Sequence, residues 1–341
     1  MGKERRTMYV QLCMRGDMRE EDAKKGISRR QFLAGSVAAV AGTLASDKLL
    51  AQTAATPQKK TGTKVILLGT GGGPRPNKVR NQSSQVVIAN GIPYVIDCGG
   101  GVSRQMVFAG VPLTGLKNIF ITHNHSDHNL ECGALIYNAW VSGFKGKVDA
   151  YGPPPLARMT KSFLETNEYD ISVRIPDEGR QPLGPMIEAH EMSKPGLVMQ
   201  DDNVKVTCAL VNHPPVVPSF AYRFDTKDRS VVFSGDTTPS ENLVELAKGA
   251  DVLIHEVLHK PGLAKLMARV PNADRLLEHI VGSHTTTDDL GKVAKQAGVK
   301  KLVLTHFVPV DDPSITDEMW VGPVRAHFDG EIVVGRDLLE V

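Results

Sequence analysis

The sequence predicts a layered α/β fold with mixed sheets, and three observations lead to that prediction. From Thr63 onward, short β-rich runs alternate with stretches of helical spacing. Asn90 and Gly91, the strongest short signal for a β-hairpin, separate two such runs. In each half of this region hairpins come first and β-α alternation follows, a pattern typical of sheets that mix antiparallel and parallel strands. The 341 residues are 41% hydrophobic and 23% charged with a mean hydropathy of −0.17, which excludes a multispanning membrane protein and a disordered chain.

In the first half, apolar β-rich runs lie on both sides of the hairpin signal, and the first helical stretch ends at Gly110. We predict strands at 65–69, 85–89, 93–97 and 118–122, and helices at 103–109 and 129–141. The second half repeats the pattern, with Gly298 stopping its last helix. We predict strands at 204–211, 220–224, 230–234, 252–255 and 301–305, and helices at 240–247 and 287–297.

The segment 174–196 carries the weakest signal for regular structure. It is rich in Pro and Gly with polar residues between them. We predict a loop or lid at the mouth of a site there.

Residues 1–55 have the order of a bacterial export signal. A basic stretch ends at Arg29 and Arg30, an apolar run rich in Ala, Gly and Val covers 34–45, and small residues follow. The run is shorter than the roughly 20 residues of a membrane span. The paired arginines before Phe32 resemble a twin-arginine motif. The sequence therefore predicts a cleaved signal peptide at 1–55, a single hydrolase domain at 56–341 without a membrane span, contact with the twin-arginine export machinery, and a periplasmic location.

Charge and cysteine content narrow the expected partners. Residues 1–55 hold 10 basic and 6 acidic residues, whereas 56–341 hold 30 basic and 32 acidic ones. The domain therefore lacks an evident basic footprint, and we expect no nucleic-acid partner. Three cysteines, Cys98, Cys132 and Cys208, remain after position 55, too few for a disulfide framework.

Ligand-type side chains are concentrated directly after the strand that ends at Thr122. Four of them lie within six residues: His123, His125, Asp127 and His128. Alternate residues of an extended chain point to the same side, so the first two can share one metal. The last two would face a second position once the chain turns into a helix. Such a cluster of His and Asp is typical of metal sites.

Further ligand types follow three other β-rich runs. His213, Asp236 and His306 each stand at or just beyond the end of a predicted strand. Taken singly, each is also common as a polar residue in a turn. Together with the 123–128 motif they complete a set for two metal ions. Nitrogen and oxygen ligands without cysteine favour Zn²⁺, with Mn²⁺ and Fe left open by ligand type.

The sequence resembles the metallo-β-lactamase superfamily, an αββα sandwich with two mixed sheets, outer helices and two metals at one edge. Within it, the resemblance is to the ribonuclease Z branch and its arylsulfatase and phosphodiesterase relatives. The motifs lie at 67–71, 80–81, 97–99, 104–106, 123–128, 213, 218–223, 234–237, 255–256, 284 and 304–307.

The resemblance implies a role for each site residue. It assigns His123, His125 and His213 to one metal, Asp127, His128 and His306 to the other, and Asp236 to both. It also places Glu256 and His284 on the leaving-group side, where a carboxylate behind an imidazole makes His284 a candidate general acid or a clamp for a nonbridging oxygen. Asp127 could act on the attacking water as well as bind metal. A homodimer is suggested by the resemblance alone.

The expected reaction is hydrolysis of small anionic esters, aryl sulfates or phosphodiesters and phosphonates, by a hydroxide that bridges two metals. Three observations favour such a hydrolase over a ribonuclease Z-like tRNA 3′ endonuclease. They are the predicted export, the charge balance of 56–341, and Ser126 at a position where tRNA-processing enzymes usually have Gly. The segment 172–196 also lacks the Gly- and Lys-rich composition of the arm with which those enzymes grip tRNA. A lactonase or carboxylesterase is a further alternative. Asp236 argues against a lactamase, because those enzymes commonly have Cys at this position. The complete set of ligands argues against a metal-binding module without catalysis.

Overall fold

Two seven-stranded β-sheets, one built mainly from each half of the chain, form the centre of the molecule. The computed structural model describes residues 62–271 and 273–341. The predicted signal peptide lies outside the described residues. No helix within those two ranges is both long and apolar enough to cross a membrane.

The first sheet has the strand order β14-β1-β2-β3-β4-β5-β6. Its strands are β1 (Lys64–Gly69), β2 (Ser84–Ala89), β3 (Ile92–Ile96), β4 (Asn118–Phe120), β5 (Val148–Gly152), β6 (Ile187–Glu191) and the C-terminal β14 (Leu339–Glu340). Strands β14, β1, β2 and β3 pair antiparallel, and β3 to β6 pair parallel.

The second sheet has the order β13-β12-β11-β10-β9-β8-β7. Its strands are β7 (Gly196–Gln200), β8 (Val204–Leu210), β9 (Phe220–Thr226), β10 (Ser230–Phe233), β11 (Val252–Leu258), β12 (Lys301–Val308) and β13 (Glu331–Val334). Strands β7 to β10 pair antiparallel, and β10 to β13 pair parallel. Both sheets are therefore mixed, as the order of hairpins and β-α units predicts.

Helices cover the outer face of each sheet, which completes the predicted four-layer αββα sandwich. The first half contributes α1 (Val102–Phe108), α2 (Ser126–Asn129), α3 (Cys132–Val141), α4 (Leu156–Thr166) and α5 (Glu168–Glu178). The second half contributes α6 (Glu241–Ala247), α7 (Leu263–Met267), α8 (Ala273–Ser283), α9 (Thr287–Ala297) and α10 (Asp317–Arg325).

Alternation along the strands separates the core into layers. In β1, Val65 and Leu67 pack between the sheets while Ile66 and Leu68 pack under the first-half helices. Because both faces of this strand are buried, it is apolar at successive positions rather than at alternate ones. Between the sheets, the Phe120 ring meets Phe224 edge-on, with the ring centroids 5.1 Å apart. The three cysteines that follow position 55 are buried and free.

Two predicted elements differ from the structure. The helix expected at 129–141 is split into α2 and α3, because Glu131 N–H donates to the Cys98 carbonyl at 2.9 Å and turns the chain there. The segment 174–196 is not a lid: it contains the end of α5 and strand β6, which pairs in parallel with β5. Pairing with a distant strand outweighs the local Pro and Gly content of this segment.

Candidate metal centre

The predicted ligands of the 123–128 motif lie at the sheet edge, just beyond β4. His123, Asp127 and His128 are buried, and His125 is half-buried. His125 is the residue before α2, so the start of this short helix turns the following side chains to a different side. The structure therefore divides the motif into two clusters.

His123, His125 and His213 form the first cluster. The His125 Nδ1 atom lies 3.1 Å from His123 Nε2 and 3.0 Å from His213 Nε2. One oxygen of Asp236, Oδ2, lies 3.8 Å from His123 Nε2 and 3.9 Å from His213 Nε2. Metal–nitrogen bonds of about 2.0–2.1 Å in tetrahedral geometry separate neighbouring ligand atoms by roughly 3.3 Å, close to these spacings.

Asp127, His128 and His306 form the second cluster. Asp127 Oδ2 lies 3.6 Å from His128 Nε2 and 3.3 Å from His306 Nε2. Asp236 again completes the set, with Oδ2 3.2 Å from His306 Nε2 and Oδ1 3.3 Å from His128 Nε2. Asp236 thus stands between the two clusters, where the sequence-based prediction puts a bridging ligand.

Unpartnered buried atoms indicate what these clusters fit. Within residues 62–271 and 273–341, His128 Nε2 and Asp236 Oδ1 are buried and lie 3.3 Å apart, but neither makes a hydrogen bond with the other or with any other group. A buried polar atom in that state costs about 1–3 kcal/mol. Divalent cations would satisfy both atoms, and the His and Asp donors suit Zn²⁺. The buried clusters are consistent with a dinuclear metal site.

His128 and His213 are each bonded through Nδ1, which leaves their Nε2 atoms facing the clusters and free to bind a metal. His128 Nδ1 lies 2.7 Å from Asp97 Oδ2, and Thr122 N–H donates to Asp97 Oδ1 at 2.8 Å. His213 Nδ1 lies 2.9 Å from the Ser283 carbonyl oxygen, to which it can donate. Such partners fix the tautomer and orientation of a metal-binding ring.

Burial and neighbouring charges set the protonation of the clusters. Burial and the nearby His213 ring lower the pKa of His125 to about 4, so this ring is neutral at pH 7 and able to bind metal. Burial opposes ionisation of Asp127, but the charge of His128 and the hydrogen bond with His306 outweigh it and lower its pKa to about 2. The carboxylate is therefore ionised over the whole physiological range.

Glu256 and His284 form a pair beside the second cluster. His284 Nδ1 lies 3.0 Å from Glu256 Oε1, and the same oxygen accepts the backbone N–H of Thr237 at 3.0 Å. Burial disfavours the His284 cation, yet the adjacent Glu256 carboxylate raises the pKa of this histidine to about 9. The His284 ring stacks on that of His306 with the centroids 5.6 Å apart. The ring therefore lies next to the candidate ligands, where Glu256 favours its cationic form.

A cavity of about 360 Å³ opens onto the clusters. The loop after β1 forms one side, and Gly73 N–H donates to Asp127 Oδ2 at 2.8 Å. Gly72 must lack a side chain, because a Cβ there would lie 2.6 Å from Val308 Cγ2 and 2.9 Å from His306 Nδ1. Helices α7 and α8, which were not predicted from the sequence, form another side of the cavity. The segment 174–196, predicted to lie at the mouth of the site, contributes no residue to the lining of this cavity.

Two residues near the clusters have no role in the sequence-based assignment. Asp97 holds His128 from behind and has a positive φ of 58° at the end of β3. His279 lines the cavity from α8, with its ring centroid 5.9 Å from that of His125. A helical face formed by Leu276, His279 and Ile280 is the signal that could have revealed the second residue.

The chain is similar in sequence to a known family and to individual known proteins. The family model described as "Beta-lactamase superfamily domain" matches residues 94–307. A ribonuclease Z of Mycobacterium bovis (strain BCG / Pasteur 1173P2) is 34% identical over 281 residues, which cover 82% of this chain and 97% of that protein.

Solved structures share the fold. The short form of human tRNase Z superposes with a TM-score of 0.60 at 21% identity, covering 82% of this chain and 98% of its own. A metallo-β-lactamase fold protein of Bacillus subtilis has a TM-score of 0.59 at 19% identity, covering 82% and 99% respectively. At these identities the two structures support the fold alone.

Proposed function

The chain belongs to the metallo-β-lactamase superfamily, in its ribonuclease Z-like branch, and we propose that it is a phosphodiesterase with two metal ions. It is a metal-dependent hydrolase homologous to ribonuclease Z. The observation that carries the proposal is the convergence of seven buried or half-buried His and Asp side chains on two adjoining positions beside the Glu256–His284 pair.

In this proposal His123, His125 and His213 would hold one ion, Asp127, His128 and His306 would hold the other, and Asp236 would serve both positions. When bound, two such ions supply a nucleophile at neutral pH and stabilise charge on the attacking and leaving oxygens of a phosphoryl group.

The protein's own groups then act on the proton and the phosphate. His284, held at Nδ1 by the Glu256 carboxylate 3.0 Å away, is placed to donate a proton to the oxygen of the departing alcohol or to stabilise a nonbridging oxygen. Glu256 keeps the ring oriented through the bond at Nδ1. Asp127 accepts the Gly73 N–H, which ties the cavity loop to the candidate ligands.

Among the esters expected from the sequence, aryl sulfates, phosphodiesters and phosphonates, homology with ribonuclease Z favours phosphodiesters. It also supports an RNA 3′ end as a substrate, although the 30 basic and 32 acidic residues of 56–341 offer no excess of positive charge for a polynucleotide. The cavity, which combines an apolar wall with the clusters, favours a second candidate, a small phosphodiester or phosphonate ester.

Turnover of two substrates by the metal-loaded protein tests the proposal. We expect hydrolysis of bis-p-nitrophenyl phosphate, and cleavage of a precursor tRNA with a 3′ trailer if RNA is the substrate. Asp236→Ala should abolish turnover and bind fewer than two ions per chain, because one carboxylate serves both positions. Absence of diester hydrolysis with two ions bound, as counted by elemental analysis, would overturn the proposal.

Location decides between the two substrate candidates. We propose export through the predicted twin-arginine signal, which would separate the mature enzyme from tRNA. Fractionation should find a shortened protein in the periplasm. Full-length protein confined to the cytosol would contradict export and favour the RNA substrate.

A further inference from the structure

Helices α7 and α8 build one wall of the cavity above the candidate metal centre. Leu266 from α7 and Leu276, His279 and Ile280 from α8 line it. Within α8 these positions follow an i, i+3, i+4 spacing, which places them on one face of the helix. That face therefore points toward the cavity instead of toward the large central core.

The wall is apolar and anchored from behind. Ile280 is 6% exposed and packs in a small cluster with Leu258, Leu263 and Val308. Leu266 and Leu276 pack against the same cluster while remaining partly exposed to the cavity. A wall that packs on a buried cluster and leaves two leucines partly exposed to the cavity is the combination expected of a site for an apolar group.

The other sides of the cavity combine a second apolar surface with charged residues at the rim. Val308, Pro309 and Val310, which end β12 and follow it, add a second apolar surface. The loop after β1 adds the exposed Arg75 at the rim, and Arg75 forms no salt bridge within residues 62–271 and 273–341. Asp311, also at the rim, pairs with Arg269 at 3.2 Å. An anion with an apolar substituent matches these surfaces.

The same cavity reaches the reactive centre. Asp127, Asp236, His284 and His306 line it together with the apolar wall. His279 lies where the wall meets the ligands, its ring centroid 6.0 Å from that of His213. A molecule in this cavity therefore places one part at the clusters and another against the leucines.

We propose that this wall is a specificity pocket for the apolar ester group, aryl or alkyl, of a small phosphodiester whose phosphate lies at the two clusters. The inference rests on the proposed phosphodiesterase function and names its substrate class. Burial of the larger apolar surface of an aryl group should favour it over a methyl group by at least roughly tenfold.

Two diesters with the same leaving group test the pocket. Phenyl p-nitrophenyl phosphate should have a kcat/KM at least about tenfold above that of methyl p-nitrophenyl phosphate, after correction for their rates in hydroxide. Binding of phenylphosphonate and methylphosphonate to the metal-loaded protein, measured by calorimetry, should differ in the same direction. Binding gives a measurement that does not depend on turnover.

Two neighbouring leucines supply a matched pair of variants. Leu276→Gln should bring both ratios close to one while the methyl ester is still hydrolysed. Leu277→Gln changes the next residue of α8, which is 39% exposed and does not line the cavity, and should keep both ratios. Leu266→Gln makes the same test from α7 if the first variant does not fold.

The outcomes separate the pocket from the proposed function. Hydrolysis of both diesters at equal efficiency with equal phosphonate binding would overturn the pocket and leave the phosphodiesterase standing. Tighter phenylphosphonate binding that Leu276→Gln abolishes, without hydrolysis of either diester, would support the pocket and overturn the phosphodiesterase. Ratios unchanged in both Leu276→Gln and Leu266→Gln would also overturn the pocket.

Discussion

Asp97 determines how His128 faces the candidate metal position. Its carboxylate holds His128 Nδ1 at 2.7 Å and is itself fixed by the N–H of Thr122 at 2.8 Å. The pair is almost wholly buried, with exposed side-chain fractions of 1% for His128 and 2% for Asp97. Because water cannot replace the carboxylate there, Asp97 is the principal partner of His128 Nδ1, and Thr122 Oγ1 lies farther away at 3.5 Å.

Asp97→Asn should weaken metal binding about 10–100-fold, because the amide is a poorer acceptor for His128 Nδ1–H. A competition titration against a chelator measures the change. Asp225→Asn is the control, since Asp225 pairs with Arg223 at 2.9 Å in a partly exposed position away from the clusters. Equal affinities of the Asp97 variant and the wild type would show that this contact does not tune the site.

His284→Ala should retain two metal ions and lose turnover, with the greatest loss for esters of poorly acidic alcohols. The reason is that such alcohols need a proton as they leave, and in the proposed mechanism His284 supplies it. A leaving-group series of diesters measures the dependence. His190→Ala, which removes a histidine outside the site, should leave turnover unchanged. Equal losses across the series would mean that His284 only binds substrate.

At the scale of elements, the loop after β1 is held by a residue from the far end of the chain. Asp337 Oδ1 accepts the N–H and the hydroxyl of Thr70 at 2.9 and 2.7 Å. Its Oδ2 accepts the N–H of Asn81 at 2.6 Å and the side-chain amide at 3.0 Å. One carboxylate thus joins both ends of the loop that carries Gly73 to the cavity.

Asp337→Asn should destabilise the fold by about 1–3 kcal/mol and raise KM, because an amide cannot accept all four hydrogen bonds. Urea unfolding and steady-state kinetics measure the two effects. Glu340 lies on the same terminal segment as Asp337 and forms an exposed ion pair with Lys64 of β1. Glu340→Gln, which breaks this pair, should change the free energy of unfolding by less than about 1 kcal/mol. A KM unchanged by Asp337→Asn would show that the loop does not need this anchor.

Elements with a complete local signal could be predicted from the sequence. Helix α9 has the cap Thr286, whose hydroxyl accepts the Asp289 N–H at 3.3 Å, and Gly298 at its end with a φ of 63°. Strand β6 could not be predicted because its pairing with β5 is a contact between distant segments. Helices α7 and α8 pack on a small cluster beside the cavity, so their apolar pattern is short.

Some residues of the candidate site could likewise be predicted from the sequence, and others could not. His123, His213 and His306 could be predicted because ligand-type residues at strand ends carry their signal in type and position. Asp97 and Asp337 could not be given their roles, since each acts through a contact with a residue far along the chain or in another element. His279 shares a helical spacing with Leu276 and Ile280 that could have singled it out, but only the structure shows that this face of α8 lies beside the clusters.

At the scale of the whole molecule, the candidate metal centre joins the two sheets. The 123–128 motif follows β4 of the first sheet, whereas Asp236 follows β10 and His306 lies in β12 of the second. Each cluster contains side chains from both sheets. Metal ions held there would link the halves of the sandwich at one edge, in addition to the apolar layer between them.

Removal of the metals should therefore lower the thermal stability of the whole molecule. A ligand bound only to the folded state stabilises it by about 2.7 kcal/mol at a free concentration 100 times its Kd. In domains of about 150–250 residues each kcal/mol shifts Tm by about 2–4 °C, so we expect chelation to lower Tm by at least about 5 °C. Calorimetry with metal counted by elemental analysis measures this, and Asp236→Ala should show a smaller shift because it starts with less metal. An unchanged Tm after complete removal would mean that the apolar layer alone holds the sheets together.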